Sequence, residues 1–494
     1  MSDNEEITSE SEDEFFEDMD YEGSMEGEGR GPVESDDEPS EDANEKRRRE
    51  AKAMLAEILA TEGKDALAST LQKEAALMTG RATKALTPVL ADTEYSHSFA
   101  RIRTLGPCSV SLCGETAMMY VGAKDGNVHG FSLGVNAVPD RTISVKGAEP
   151  LRHGRRHRLQ YASGDKHRGP YAPHHGAVLC TAVSLDGKYL ATAGEDMLVN
   201  LRDGATGESL ETFSGFKEPI LGLSFSDDGY LFAVGADRSV RVIASKELAY
   251  VTPLFGHGGP INAVSALTSS RAVSVGGLGD RKLAFWKTSV KKALFFPHEH
   301  PMTGVTAVTD GLFVTGDNIG GLQLWDSRRK SKQAVARHVT RPHLDTVEGQ
   351  AVPEGQEAPI SPIRAEISAL SGIRGSDIVV SGAGDGRVRV WRVEEYKFTH
   401  IADLPVPGFV TSVAVALCNL PTQAKGERTQ GKKSGAAPPT RQTLVIACAS
   451  AREPRLGRWD RDTSITEGVH VFSWQLPEAA RQNPKRLKQH ARFC

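Results

Sequence analysis

Gly279-Asp280-Arg281-Lys282-Leu283-Ala284-Phe285-Trp286 is the stretch that decides the fold. An aspartate sits in a glycine-bearing turn. A short apolar run of strand character follows, and a tryptophan stands six positions after the aspartate. The same spacing recurs along the chain. Asp385 precedes Trp391, Asp125 precedes Phe131, Asp196 precedes Arg202, and Asp237 precedes Ile243. Two further units keep the spacing without the aspartate: Ile319 before Trp325, and Glu453 before Trp459.

The seven end points are separated by 71, 41, 43, 39, 66 and 68 residues. The three short intervals match the period of WD repeats, about 40–45 residues, each of which is one four-stranded propeller blade. The excess in the long intervals is expected in loops near 148–175, 331–362 and 420–441. Within units, Leu179 to Ser184 and Tyr189 to Ala193 flank Leu-Asp-Gly-Lys, and Leu221 to Ser226 and Leu231 to Gly235 flank Asp-Asp-Gly. Short β-runs around Asp-Gly turns are antiparallel hairpins. The expectation is an all-β, seven-bladed propeller over 98–476. Its ring is closed in the last blade either by a strand near Phe99 to Leu105 or by Val469 to Trp474. His257, Ser274, Asp280 and Trp286 fit the buried hydrogen-bond set that pins such blades. His175, Thr192 and Asp196 read as a degenerate copy, with Arg202 in place of tryptophan.

Charge divides the 494-residue chain in two. Residues 1–45 carry 20 Asp/Glu against Arg30 alone, while the other 449 residues carry 44 acids and 58 bases. So acidic a block buries too little apolar surface to order itself, and 1–44 reads as a disordered tail. It either solubilises the protein or screens the basic body. Ser9 and Ser11 sit in an acidic context suited to phosphorylation. A helical arm is expected over 45–90: Ala51, Met54, Leu55, Ile58 and Leu59 form an amphipathic stripe, with a second one at Leu67, Leu71, Ala75 and Met78. Residues 477–494 read as a basic tail. No run of 18 apolar residues predicts a membrane span. The six cysteines include no C-x-x-C pair, which suits a reducing compartment.

Catalytic patterns are missing from the sequence: there is no phosphate loop, no Gly-x-Ser-x-Gly and no His-Glu-x-x-His, so an enzyme is not expected. His153, His157, His167, His174 and His175 are irregularly spaced among basic residues, a poor metal pattern. No cofactor is expected. Binding is the better reading. Arg152, Arg155, Arg156, Arg158, Lys166 and Arg168 cluster in one loop with Tyr161 and Tyr171. Guanidinium groups meet phosphate oxygens bidentately, and tyrosine offers a stacking face to an unpaired base. That loop joins two blades on the ring face that also carries the Asp turns. Those turns add Lys124, Arg238, Arg281, Lys282 and Arg387 to one positive field.

Several stretches resemble the WD-repeat protein of the U3 small nucleolar ribonucleoprotein. They are Glu45-Lys-Arg-Arg-Arg-Glu-Ala-Lys, Val178-Leu-Cys-Thr-Ala-Val-Ser-Leu-Asp-Gly-Lys-Tyr-Leu-Ala, Tyr250-Val-Thr-Pro-Leu-Phe-Gly-His, Pro407-Gly-Phe-Val-Thr-Ser and, most specific, Arg455-Leu-Gly-Arg-Trp. The resemblance implies recognition of the B/C motif of U3 small nucleolar RNA, beside a small kink-turn-binding protein and other box C/D proteins. It also implies a nucleolar place in the small-subunit processome, where early cleavages toward 18S rRNA occur. Arg281, Arg455 and Arg458 are its matching RNA-contact positions. The competing reading is a cullin-RING ubiquitin ligase adaptor, resting on Trp325-Asp326-Ser327-Arg328, which fits a Trp-Asp-x-Arg box.

Overall fold

The structure, a computed structural model, describes residues 84–92, 94–102, 105–146, 173–327, 329–337, 365–394, 396–421, 440–457 and 460–476. Seven four-stranded antiparallel sheets follow one another around a ring. Blade one is Pro107–Cys113, Met118–Ala123, Val128–Leu133 and Pro139–Val145. Blade two is Cys180–Val183, Tyr189–Ala193, Val199–Asp203 and Ser209–Phe213. Blade three is Ile220–Phe225, Tyr230–Gly235, Ser239–Ala244 and Ala249–Phe255. Blade four is Ile261–Thr268, Arg271–Gly276, Lys282–Lys287 and Lys292–Pro297. Blade five is Met302–Ala307, Leu312–Asp317, Gly321–Asp326 and Arg329–Arg337. Blade six is Ile367–Gly372, Ile378–Ala383, Arg387–Glu394 and Lys397–Pro405. Blade seven takes Phe409–Pro421, Thr440–Ala451 and Gly468–Gln475 from the C-terminal end, and Ser96–Arg101 as its outer strand.

Burial explains these strands. The second strand of blade six, Ile378–Ala383, is buried at every position, because both of its faces meet neighbouring blades. Such strands read as continuous apolar runs. The outer strand Ala249–Phe255 buries only Thr252 and Leu254, since one face looks at solvent. The core is correspondingly a chain of inter-blade clusters. Phe232, Val234 and Val242 of blade three pack with Val264, Ala272 and Trp286 of blade four. Each such valine or phenylalanine side chain contributes about 1.5–3 kcal/mol by leaving water.

Ring closure uses both candidate segments. Ser96–Arg101 pairs antiparallel with Gly468–Gln475, from Ser96 opposite Ser473 to Arg101 opposite Gly468. The closing strand therefore starts three residues before the expected Phe99, and Val469 to Trp474 belongs to the third strand beside it. This corrects the last repeat unit. Phe472, paired with Ile446, occupies the place assigned to Trp459, which lies outside the described residues. The expected loop from Ser331 also begins as strand, since Arg329–Arg337 is the outer strand of blade five.

The expected acidic tail (1–44), the helical stripes at 51–78 and the basic tail (477–494) lie outside the described residues. Of the arm's span, only 84–90 falls within them. Lys84 forms a parallel bridge with Ser376, and a six-residue helix, Thr87–Asp92, follows. Asp377 accepts the backbone N–H of Leu86 at 2.7 Å and the Thr87 hydroxyl, which ties this segment to blade six. Leu86 and Leu90 are buried in the cluster shared by blades six and seven.

Candidate nucleic-acid interface

One blade shows how the recurring aspartate, histidine and tryptophan act. Trp286 Nε1–H donates to Ser274 Oγ at 2.7 Å, Ser274 O–H faces His257 Nε2 at 2.7 Å, and His257 Nδ1–H donates to Asp280. Asp280 also accepts the Gly258 N–H at 3.0 Å. All four side chains are buried, and burial holds the His257 pKa below its ordinary value although Asp280 opposes the shift. The set is structural: it fixes the turn to the strands. In blade two the histidine is His174, not His175. His174 lies 2.7 Å from Asp196 and 2.8 Å from Thr192, while His175 offers only its backbone N–H to Asp196. Arg202 is fully buried in the tryptophan position, and desolvation lowers its pKa to about 10. Among the described residues no cluster of His, Cys, Asp or Glu is arranged to hold a metal ion. Burial pushes the thiols of Cys108, Cys180 and Cys418 up to about 12, so they are core groups rather than nucleophiles.

The turns between second and third strands, together with the connections between blades, share one ring face. Two arginines stand out there. Arg238 and Arg281 have left-handed backbones, with φ of 64° and 49°. At the same turn position blades one, five and six have Gly126, Gly320 and Gly386, and blade two has Met197, also left-handed with φ of 62°. A side chain in this region costs on the order of 1–2 kcal/mol relative to glycine. Both arginines and the adjacent Lys282 are exposed. Among the described residues Arg281 lies 3.4 Å from the Glu299 carbonyl, and the Lys282 ammonium sits 5.7 Å from the Phe295 ring centroid. Both contacts are loose, and all three side chains are exposed on this face.

The other expected contacts sort differently. Arg387 is exposed but lies 3.5 Å from Asp403. Lys124 is engaged by Glu453 at 3.2 Å and by the carbonyls of Pro454 and Gly457 at 2.8 and 3.1 Å. Its ammonium anchors the turn of blade seven and is not free for phosphate. Arg455 is turned inward. It lines the axial cavity with residues of all seven inner strands and donates to the Leu221 carbonyl of blade three. Arg152, Arg155, Arg156, Arg158, Lys166, Arg168 and Arg458 lie outside the described residues. In the Trp-Asp-x-Arg box, Trp325 and Asp326 are both buried, and Trp325 donates to Thr315 at 2.9 Å. Arg328 of that box lies outside the described residues.

Sequence reading missed a second cationic group on this face. Arg101, Arg452 and Arg461 border a cleft of about 680 Å³ between blades seven and one. A signal was present: Arg452, Arg455, Arg458 and Arg461 recur every third residue.

The comparisons with known proteins agree with the geometry. The family model described as WD domain, G-beta repeat matches residues 168–203 and 207–243. The ring, its Asp turns and these matches define a WD-repeat β-propeller protein.

Within that class the likeness is to U3 ribonucleoprotein components, as the sequence motifs suggested. U3 snoRNP-associated protein-like EMB2271 of Arabidopsis thaliana is 29% identical over 313 residues, 62% of this chain and 58% of that protein. Ribosomal RNA-processing protein 9 of Saccharomyces cerevisiae is 22% identical over 464 residues, 81% of this chain and 78% of that protein. The solved structure of U3-55K superposes with a TM-score of 0.58 at 23% identity, covering 76% of this chain and 98% of that one, and shares the fold. The chain spans a little over half the length of the Arabidopsis relative.

Proposed function

We propose that this protein is an RNA-binding scaffold of the U3 small nucleolar ribonucleoprotein. In this reading it grips U3 small nucleolar RNA at the B/C motif, next to a kink-turn-binding protein and other box C/D proteins. It works in the nucleolus, in the small-subunit processome, during early processing toward 18S rRNA, and carries no catalytic step of its own. The observation that supports this most is the placement of Arg238 and Arg281. Two arginines occupy positions where the backbone favours glycine, on one face, with their guanidinium groups exposed. Exposed guanidinium groups on one face give phosphate oxygens charge-assisted donors. Relatives named for U3 and for ribosomal RNA processing point the same way.

The chemistry follows from charge. RNA phosphates meet the cationic turns and release counterions, while the rigid ring holds the bound strand in place for other factors. The test is equilibrium binding of the full chain to a U3 stem carrying the B/C motif, across a salt series. Affinity is expected to fall steeply with salt, and the triple variant Arg238→Ala, Arg281→Ala, Lys282→Ala is expected to lose most of it. Equal binding by the variant, or indifference of the wild-type protein to the RNA, overturns the reading.

A further inference from the structure

The cleft between blades seven and one is separate from the Arg238–Arg281 turns and has the chemistry of a pocket. Its walls come from the end of the closing strand, the Gly106 approach to blade one, and the long turn of blade seven. At about 680 Å³ it falls within the range of small-ligand sites, roughly 300–1,000 Å³. Arg101, Lys124, Arg452 and Arg461 outnumber Glu453 and Glu467 among its lining residues.

These charges are not interchangeable. Lys124 and Arg461 hold Glu453 from two sides, at 3.2 and 3.4 Å. Arg452 donates through Nε to the Ile465 carbonyl at 2.7 Å, so it braces the turn. Arg101 is exposed, and Arg461 keeps most of its guanidinium in the open, with 58% of its side chain accessible. The two present cations at the mouth. Glu467 is half-buried and accepts the Arg452 N–H through Oε1 at 3.3 Å. That bond fixes the carboxylate and leaves acceptor capacity on both oxygens. Gly106 makes room for it, because a Cβ there would stand 2.9 Å from Glu467 Oε1. Leu105, 52% exposed, adds an apolar surface, with the buried Ile102 behind it.

We infer that this cleft takes one unpaired nucleotide of the RNA, with guanine preferred, a step that rests on the RNA-binding reading above. The phosphate meets Arg101 and Arg461, and the ring lies against Leu105. The N1–H and N2–H groups of guanine donate side by side to the Glu467 carboxylate. Adenine and cytosine set a ring-nitrogen acceptor beside their amino group, and uracil flanks its single N–H with two carbonyls. Each of the three therefore turns a lone pair toward a carboxylate. Base edges of unpaired RNA are read in this manner, by side-chain donors and acceptors together with stacking surfaces.

The experiment titrates the full chain with GMP, AMP, CMP, UMP and ribose 5-phosphate, and in parallel with the whole U3 stem. GMP is expected to bind saturably and at least about fivefold tighter than the other three nucleotides. Arg101→Ala with Arg461→Ala is expected to weaken GMP by about tenfold, the effect of losing charge-assisted hydrogen bonds. Glu467→Gln, nearly isosteric, is expected to level the four nucleotides while keeping phosphate-dependent binding. Gly106→Ala is expected to act in the same direction by displacing Glu467. Absence of saturable GMP binding, or a guanine preference unchanged in Glu467→Gln, overturns the inference. If the whole stem binds wild type and the cleft variants equally, the cleft assignment falls and the RNA reading stands. If GMP binds as expected and the stem does not, the RNA reading falls and the pocket stands.

Discussion

Arg374 of blade six lies 2.9 Å from Asp227 of blade three, across the ring face opposite the cationic turns. The same guanidinium is 3.2 Å from Asp310 of blade five and donates to the Leu267 carbonyl of blade four at 2.6 Å. One side chain thus joins four consecutive blades at their inner turns. Arg455 does the corresponding thing at the other end of the axial cavity, by reaching Leu221 from blade seven. The ring is braced by an arginine at each mouth as well as by its packed walls.

Arg374→Ala is expected to destabilise the propeller by about 1–2 kcal/mol, because it removes a charge-assisted bond to a carbonyl and two partly exposed ion pairs. Urea unfolding of wild type and variant measures this. A midpoint that does not move would show that the brace is ornamental.

Arg281→Gly is expected to do two opposite things. Relief of the left-handed backbone raises stability by up to about 1 kcal/mol. Loss of the guanidinium lowers RNA affinity and reduces the log–log salt slope by about 0.7–0.9 for one phosphate contact. Calorimetric unfolding and a salt-series titration check the two halves separately. A variant that binds RNA as tightly as wild type would make the strained turn functionless.

Arg455→Ala is expected to weaken RNA binding less than Arg281→Ala, because its guanidinium lies in the axial cavity and donates to Leu221. Its loss should instead loosen the blade-seven turn, seen as faster proteolytic nicking between 452 and 467. Equal effects of the two variants on RNA affinity would place Arg455 at the RNA after all.

Acid is expected to open the ring at its closing strand. His97 Nε2 and His470 Nδ1 are 3.0 Å apart, with the rings stacked at 5.3 Å. Burial, and then the neighbouring His97, push the His470 pKa down to about 4, and burial lowers His97 as well. The unfolded chain, with histidines near 6.5, takes up protons first as pH falls. Stability from this pair is therefore complete above about pH 6.5 and declines from there toward pH 4. Unfolding midpoints at pH 7 and pH 5 should differ, and His470→Phe should shrink the difference. An unchanged pH dependence in that variant would remove the pair as its cause.

Much of the propeller is legible in the sequence for a definite reason. Second and third strands are buried on both faces, so runs such as Ile378–Ala383 stand out, and the turn aspartates mark where they meet. Outer strands bury only one face, and Val251 and Phe255 are exposed at 54% and 70%, which leaves little pattern to read. Blade seven misleads because its aromatic is Phe472, on a strand delayed by the long turn that contains Trp459. The exchange of His174 for His175 is a one-residue offset between identical neighbours, which only backbone direction resolves. Arg238 and Arg281 could be found from their turns, since local sequence places them. The inward path of Arg455 could not, because its acceptor Leu221 is 234 residues away.

Ser96 and Ser473 share a hydrogen bond at 2.6 Å across 377 residues of chain. A ribosome makes Ser96 long before Ser473. Until then the nascent polypeptide carries an unmatched edge on blade seven's side and cannot seal. Any product truncated before about residue 468 lacks the partner for its own opening strand, and long-range pairing of this kind is slow and exposed to aggregation. Closure thereby makes completeness of synthesis a condition of a finished molecule.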